Sequence, residues 1–261
     1  MIILYYNIIM DWVALIDSPT GINGLNILGN IGNTVATQGT KVYVGGSFTQ
    51  AGGIPANNIA VWDTISKTWS ALGSGLNGIC STIVISPDGL NVYVGGSFTQ
   101  AGGQSIPTTA VWNVTSQTWS KVGNGTRVST GIAVSPDNTQ VYVGLWVWNI
   151  PNSIWYPLGN GFGSATILKL SPDGTKLYAG FPGTFIGGAS ANKIAVCNIT
   201  PGSILIWSAL TDSSTGINGV NQNVSSIAVS PDGLDVYASG FFTTAGGIPV
   251  NYIAKWDTTT S

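Results

Sequence analysis

Residues 42–53 read Val-Tyr-Val-Gly-Gly-Ser-Phe-Thr-Gln-Ala-Gly-Gly, and residues 92–103 repeat the same string. Weaker copies start at Val141-Tyr142-Val143-Gly144, Leu177-Tyr178-Ala179-Gly180 and Val236-Tyr237-Ala238-Ser239, which makes five. Three companion strings keep step with them. Ile83-Val84-Ile85-Ser86-Pro87-Asp88-Gly89 precedes the second copy and recurs at 132–137, 168–174 and 227–233, with a degenerate form at 34–39. Ile59-Ala60-Val61-Trp62-Asp63 follows the first copy and recurs at 110–113, 147–149, 194–198 and 253–257. Trp69-Ser70-Ala71-Leu72-Gly73 closes the unit and recurs at 119–123, 155–159 and 207–210.

Each unit therefore holds four short runs rich in Val, Ile, Tyr and Trp, bounded by Gly, Pro, Asn or Asp. Such runs read as strands. Ser-Pro-Asp-Gly places its residues as a type I hairpin turn requires. No segment sustains a 3.6-residue apolar period with caps, so almost no helix is expected. Four strands at a period near 50 is the pattern of a propeller blade, and stacking buries faces that one blade leaves bare.

The reading is an all-β fold: a five-bladed β-propeller with four antiparallel strands per blade. The last Trp of the series, Trp256, would find its partner seven residues on, past position 261. The N-terminus supplies the missing string as Asp11-Trp12-Val13-Ala14-Leu15. The ring is thus expected to close when the N-terminal strand completes the last blade, which also removes open edges. An open fragment of a larger propeller is the runner-up. Residues 1–10 read as an apolar arm, too short to span a bilayer, and 11–261 as one domain. The arm is a possible oligomer contact.

Composition narrows function. The 261 residues carry ten acidic and eight basic side chains and no histidine. A net charge of −2 gives no general grip on nucleic acid. Without imidazole the commonest general base and metal ligand are missing, so neither metal nor cofactor is expected. Cys80 and Cys197 lie in no C-x-x-C pair and read as buried thiols; Cys197 stands where the other units have Trp. The four sequons, at Asn113, Asn124, Asn198 and Asn223, matter only in a secretory setting.

Asp88, Asp137, Asp173 and Asp232 could be read as a carboxylate ring, but as turn formers they need no further role. Trp12, Trp62, Trp69, Trp112, Trp119, Trp155, Trp207 and Trp256 fall at repeating positions and read as packing. Gly52-Gly53, Gly102-Gly103, Gly187-Gly188 and Gly246-Gly247 lack the Lys and helix of a phosphate cradle and read as tight turns.

Binding is expected on one face, built from long uncharged loops between the second and third strands: residues 48–58, 98–109, 183–193 and 242–251. The third unit lacks this loop. The candidate ligand-binding residues are Thr49, Gln50, Asn57, Asn58, Thr99, Gln100, Asn192, Thr243, Thr244 and Asn251, together with Trp146, which reads as lying outside the repeat.

The strings VYVGGSFTQAGG, IAVWD and WSALGSGLNG together resemble kelch-like propeller repeats of bacterial secreted and surface proteins and of large DNA viruses. The resemblance covers nearly all of 11–261. It implies a propeller in extracellular, cell-surface or virion settings and no catalytic residue. The expected function is a non-enzymatic binding or structural module docking a protein partner or larger assembly. The alternative is a lectin that binds glycans on the long-loop face.

Overall fold

The computed structural model describes residues 14–21, 24–27, 34–124, 129–160, 164–200 and 205–259. Every regular element among them is a β-strand. Four antiparallel sheets have four strands in order. The first runs Thr34–Gln38, Lys41–Gly45, Ile59–Asp63 and Thr68–Ala71. The second runs Ile79–Ile85, Asn91–Ser97, Thr109–Asn113 and Thr118–Lys121. The third runs Ile132–Val134, Gln140–Val143, Trp146–Asn149 and Ile154–Pro157. The fourth runs Ile167–Leu170, Lys176–Gly180, Ile194–Asn198 and Trp207–Ala209. The fifth has three strands among the described residues: Val224–Val229, Asp235–Gly240 and Ile253–Asp257. The closing strand expected around Trp12 and the arm at 1–10 lie outside the described residues.

The first strands of successive sheets pack on one another in chain order. The core lies between sheets. Tyr43 and Ile59 of the first sheet share one buried cluster with Cys80, Ile83 and Val94 of the second. At Gly45 a methyl group would stand 2.5 Å from Cys80 Sγ, so the sheets meet more closely than side chains permit. Both cysteines are buried and free. Cys197 pairs across strands with Trp207 as Trp62 pairs with Trp69, which bears out its reading as a core residue.

The four turn aspartates are local. Ser86 Oγ donates to Asp88 Oδ1 at 2.5 Å, and Leu90 N donates to the same oxygen at 2.9 Å. The same serine–aspartate bond recurs at Ser135–Asp137, Ser171–Asp173 and Ser230–Asp232. The tryptophan pairs 62/69, 112/119 and 148/155 have ring centroids 5.4 Å apart and tilted planes, a favourable aromatic geometry.

Two expectations change. The long segments between second and third strands are hairpins rather than irregular loops: Phe48–Ala51 with Ile54–Pro55, Gln100–Ala101 with Gln104–Ser105, Phe185–Ile186 with Ala189–Ser190, and Thr244–Ala245 with Ile248–Pro249. Both glycines of each turn have positive φ, for example 60° at Gly102 and 76° at Gly103. That is the backbone of the two-residue turn that matches strand twist.

Trp146 also lies inside the repeat. It pairs with Val143 as Ala60 pairs with Val44 and Ala110 with Val94. In the first sheet the hairpin residues Phe48, Ala51 and Ala56 pack over Ala60. The third sheet turns directly from Val143 to Trp146, with no hairpin between its second and third strands.

A pair of glycine variants separates backbone from packing. Gly21 has φ +69° and nothing within 4 Å of an added methyl; Gly102 has φ +60° and meets Trp119 Cδ1 at 2.6 Å. Gly21→Ala should cost about 1 kcal/mol for the left-handed backbone. Gly102→Ala should cost roughly 2–4 kcal/mol, because a packed indole must also move. Urea unfolding of both variants against the parent checks the difference.

Candidate functional site

One face of the array is built by a repeated clamp. The segment before the second sheet sends Asn77 onto the hairpin of that sheet. Thr99 N and Gln100 N donate to Asn77 Oδ1 at 2.9 and 2.8 Å, and Asn77 Nδ2 donates to Thr99 Oγ1 at 2.8 Å. Asn26 does the same to Thr49 and Gln50, at 2.9 and 2.6 Å for the amides and 2.9 Å for the hydroxyl. Asn221 does it to Thr243 and Thr244, at 2.9, 3.1 and 3.0 Å. An Asn amide carries both acceptor and donor, so one side chain satisfies two backbone donors and anchors a hydroxyl.

These contacts redefine the candidates. The backbone of Thr49, Gln50, Thr99, Gln100, Thr243 and Thr244 is held by the clamps, and the three threonine hydroxyls at 49, 99 and 243 are engaged. The exposed amide side chains of Gln50 and Gln100 are what this part of the face offers to a ligand.

Asn57 and Asn192 are bridges to the next sheet's approach segment. Asn57 O accepts from Leu76 N at 3.0 Å and Asn57 Nδ2 donates to Ser74 O at 3.1 Å. Asn192 O accepts from Val220 N at 3.1 Å and Asn192 Nδ2 donates to Asn218 O at 3.1 Å. Asn58 donates to Leu76 O at 2.7 Å and accepts from Phe48 N at 3.3 Å. Asn251 is exposed at the position equivalent to Asn57.

Thr49, Asn57, Asn58 and Gln100 converge with Ser74 and Asn77 on one polar cleft of about 380 Å³ between the first two sheets. Trp146, Asn192, Thr243, Thr244 and Asn251 do not line it. Trp146 is half-buried in a strand. The clamp asparagines were missed as functional positions. Their signal is the tripeptide Gly24-Leu25-Asn26, Gly75-Leu76-Asn77 and Gly219-Val220-Asn221, and each Asn meets a threonine 22 or 23 residues later.

Titration is displaced from neutrality. The Ser86 hydroxyl and the Leu90 amide hold the Asp88 carboxyl below its usual value, and Asp137, Asp173 and Asp232 share that arrangement. Lys41 brings Asp63 down to about 2. Burial pushes Cys80, Cys197 and Tyr93 up to about 12. Among the described residues no three His, Cys, Asp or Glu side chains gather as a metal site. No helix among them is long and apolar enough to cross a membrane.

No family model and no curated protein matches the chain. Solved structures do. Hydrazine synthase of Kuenenia stuttgartiensis matches with a TM-score of 0.52 at 16% identity, over 77% of this chain and 52% of that one. TolB of Acinetobacter baumannii matches with a TM-score of 0.50 at 17% identity, over 77% of this chain and 46% of that one. The chain is thus matched to about half of each of these structures. Both have propeller-type folds, and at this identity the likeness is one of fold alone.

Two measurements follow. Asn77→Ala removes three hydrogen bonds at an exposed site, so it should cost about 1 kcal/mol and speed amide exchange at Thr99 and Gln100 roughly ten-fold, with Asn26 and Asn221 clamps unaffected. Stability should be flat between about pH 5 and 8, where no side chain of this composition titrates. Asp17, Asp63, Asp88, Asp137, Asp173, Asp212 and Asp232 titrate lower when folded, so their contribution is present above the unfolded value near 4 and falls away below it. The buried tyrosines and thiols titrate higher when folded, so stability declines again as pH rises above about 9. Thermal melts from pH 2 to 11 test both limbs.

Proposed function

We propose that the chain is a non-enzymatic binding module of the kelch-like type, built on a five-bladed propeller whose ring is completed by the strand around Trp12. It docks a protein partner or larger assembly through the clamped hairpin face, in an extracellular, cell-surface or virion setting. The observation that carries this reading is the clamp itself. The same Asn–Thr contact, made three times, fixes short hairpins in one orientation, and the amides of Gln50 and Gln100 stand exposed on two of them. Rigid presentation lowers the ordering cost of binding. The titration pattern speaks against acid–base catalysis, which wants a group poised near the working pH; every shift found here leads away from it.

A lectin is the second reading, favoured by the polar cleft of Thr49, Asn57, Asn58, Ser74 and Gln100. Its amides and hydroxyls suit sugar hydroxyls and would take an uncharged polar ligand.

The two readings separate in one pair of assays. Gln50→Lys with Gln100→Lys charges the face without touching the clamps, and Ile65→Lys charges an exposed site on a strand-connecting turn. A docking module should lose partner capture by at least ten-fold in the double variant, keep it in Ile65→Lys, and show no selective signal on a glycan array. Selective glycan binding that the double variant abolishes would instead make the chain a lectin. Equal capture by all three proteins would remove the hairpin face from the function.

A further inference from the structure

The chain holds five Asn-Gly pairs, at 23–24, 77–78, 124–125, 160–161 and 218–219. In such a pair the side-chain amide carbon and the next backbone nitrogen can close a five-membered imide with no side chain in the way. The pairs at 77–78 and 218–219 lie wholly within the described residues, and the fold treats them oppositely. We infer that Asn77 is a self-modification site: the Gly78 nitrogen attacks Asn77 Cγ, and two backbone amides of the clamped hairpin hold the negative charge that develops on Asn77 Oδ1.

The nucleophile is available at only one of the two pairs. Gly78 N donates to no acceptor among the described residues, whereas Gly219 N is spent on Leu210 O at 2.8 Å. Asn77 is exposed and Gly78 half-buried, so water and hydroxide reach the pair; Asn218 is half-buried and Gly219 buried. Packing keeps position 78 a glycine, because an added methyl would stand 2.3 Å from Ser97 O.

The electrophile is prepared by the clamp. Thr99 N and Gln100 N both donate to Asn77 Oδ1, at 2.9 and 2.8 Å. Attack at Cγ turns that oxygen into an oxyanion, and two preplaced amides at hydrogen-bond distance are the arrangement that stabilises one. Asn218 Oδ1 receives a single backbone amide, Asn192 N at 3.0 Å. Asn26 and Asn221 carry the same pair of amides on Oδ1, but Ile27 and Gln222 follow them, and a side chain on the attacking residue obstructs ring closure. Among the described residues, 77–78 alone joins a doubly held oxygen to an unspent glycine amide.

The step balances without a co-reactant other than water. The Gly78 amide gives its proton to hydroxide, the Gly78 N–Asn77 Cγ bond forms, and the Cγ–Nδ2 bond breaks. Nδ2, which donates to Thr99 Oγ1 at 2.8 Å, leaves as ammonia with a proton from water. Water then opens the imide to aspartate or isoaspartate. Aspartate keeps the clamp, since a carboxylate accepts from both amides and the Thr99 hydroxyl can turn to donate. Isoaspartate adds a carbon to the main chain and takes the carboxylate off the hairpin. Either product puts one negative charge at the polar cleft that Asn77 lines with Asn57, Ser74 and Gln100. The chemistry is one event per chain, in keeping with a non-enzymatic module. Its consequence for binding rests on the hairpin-face reading; the modification itself does not.

Peptide mapping by mass spectrometry tests the inference on the full chain, incubated at mildly alkaline pH both folded and unfolded in urea. Unfolded, Asn77 and Asn218 should convert at similar rates. Folded, Asn77 should convert roughly ten-fold faster than it does in urea, while Asn26, Asn218 and Asn221 stay intact. Gln222→Gly, at an exposed position whose amide is also unspent among the described residues, should make Asn221 convert as Asn77 does. Conversion of Asn77 no faster folded than in urea would overturn the role of the two amides. Asn218 keeping pace with Asn77 in the folded chain, or an inert Asn221 in the Gln222→Gly chain, would overturn the assignment of the site. Mapping needs no partner, so each of these failures leaves the hairpin-face reading untouched.

Discussion

The interaction on which the rest of the molecule depends is one indole N–H reaching backward to a leucine carbonyl. A buried Trp usually finds a partner for that donor, and Trp69, Trp119 and Trp207 find theirs outside their own sheet. Trp119 finds Leu72 O and Trp207 finds Leu158 O, each at the end of the preceding outer strand. The second sheet is thereby locked to the first and the fourth to the third at the periphery, while the first strands pack on one another at the other edge. Two remote contacts per interface fix the angle between neighbouring sheets more firmly than either alone.

The same indole shapes the binding face. Its edge occupies the place where the first glycine of three Gly-Gly turns, Gly52, Gly102 and Gly187, would carry a side chain. That glycine must stay bare for packing and must also adopt positive φ, two demands that only glycine meets. The turn is thereby held down on the sheet, and its second strand returns over Ala60 or its equivalents. Above this support the Asn clamps need only orient the hairpin, not create it. A face of this kind owes its rigidity to buried aromatic packing and its chemistry to exposed amides, so the two can vary independently.

The strand order was legible because it has a period. Strings such as Ile-Ala-Val-Trp-Asp and Ser-Pro-Asp-Gly repeat with their turn residues, and Cys197 could be placed in the core because it interrupts a Trp series. The hairpins were not legible as strands, because two-residue strands such as Gln100–Ala101 are too short to show alternation. Trp146 misled for a related reason. With the hairpin missing, the sequence around it loses the spacing that marks its neighbours, although its cross-strand partner is the usual one. The Asn clamps were hidden by distance: Asn77 and Thr99 lie 22 residues apart, and the short string Gly-Leu-Asn that marks the asparagine does not name its partner.

Repetition also explains how so little identity can carry a fold. A sheet in this array must supply a few fixed things: an indole, a carbonyl to receive the next one, a glycine under it, and apolar residues on two faces. The remaining positions face solvent or turns and are free to drift, which is compatible with 16–17% identity to solved propeller-type structures. The sheets at the two ends keep the apolar part of that set. Val35 and Ile253 are apolar although exposed, and large uncovered apolar faces are unusual on a soluble surface. A face that only met water would have no need of Ile where the internal sheets use Ile for packing. The end sheets thus carry the same apolar positions as the internal ones.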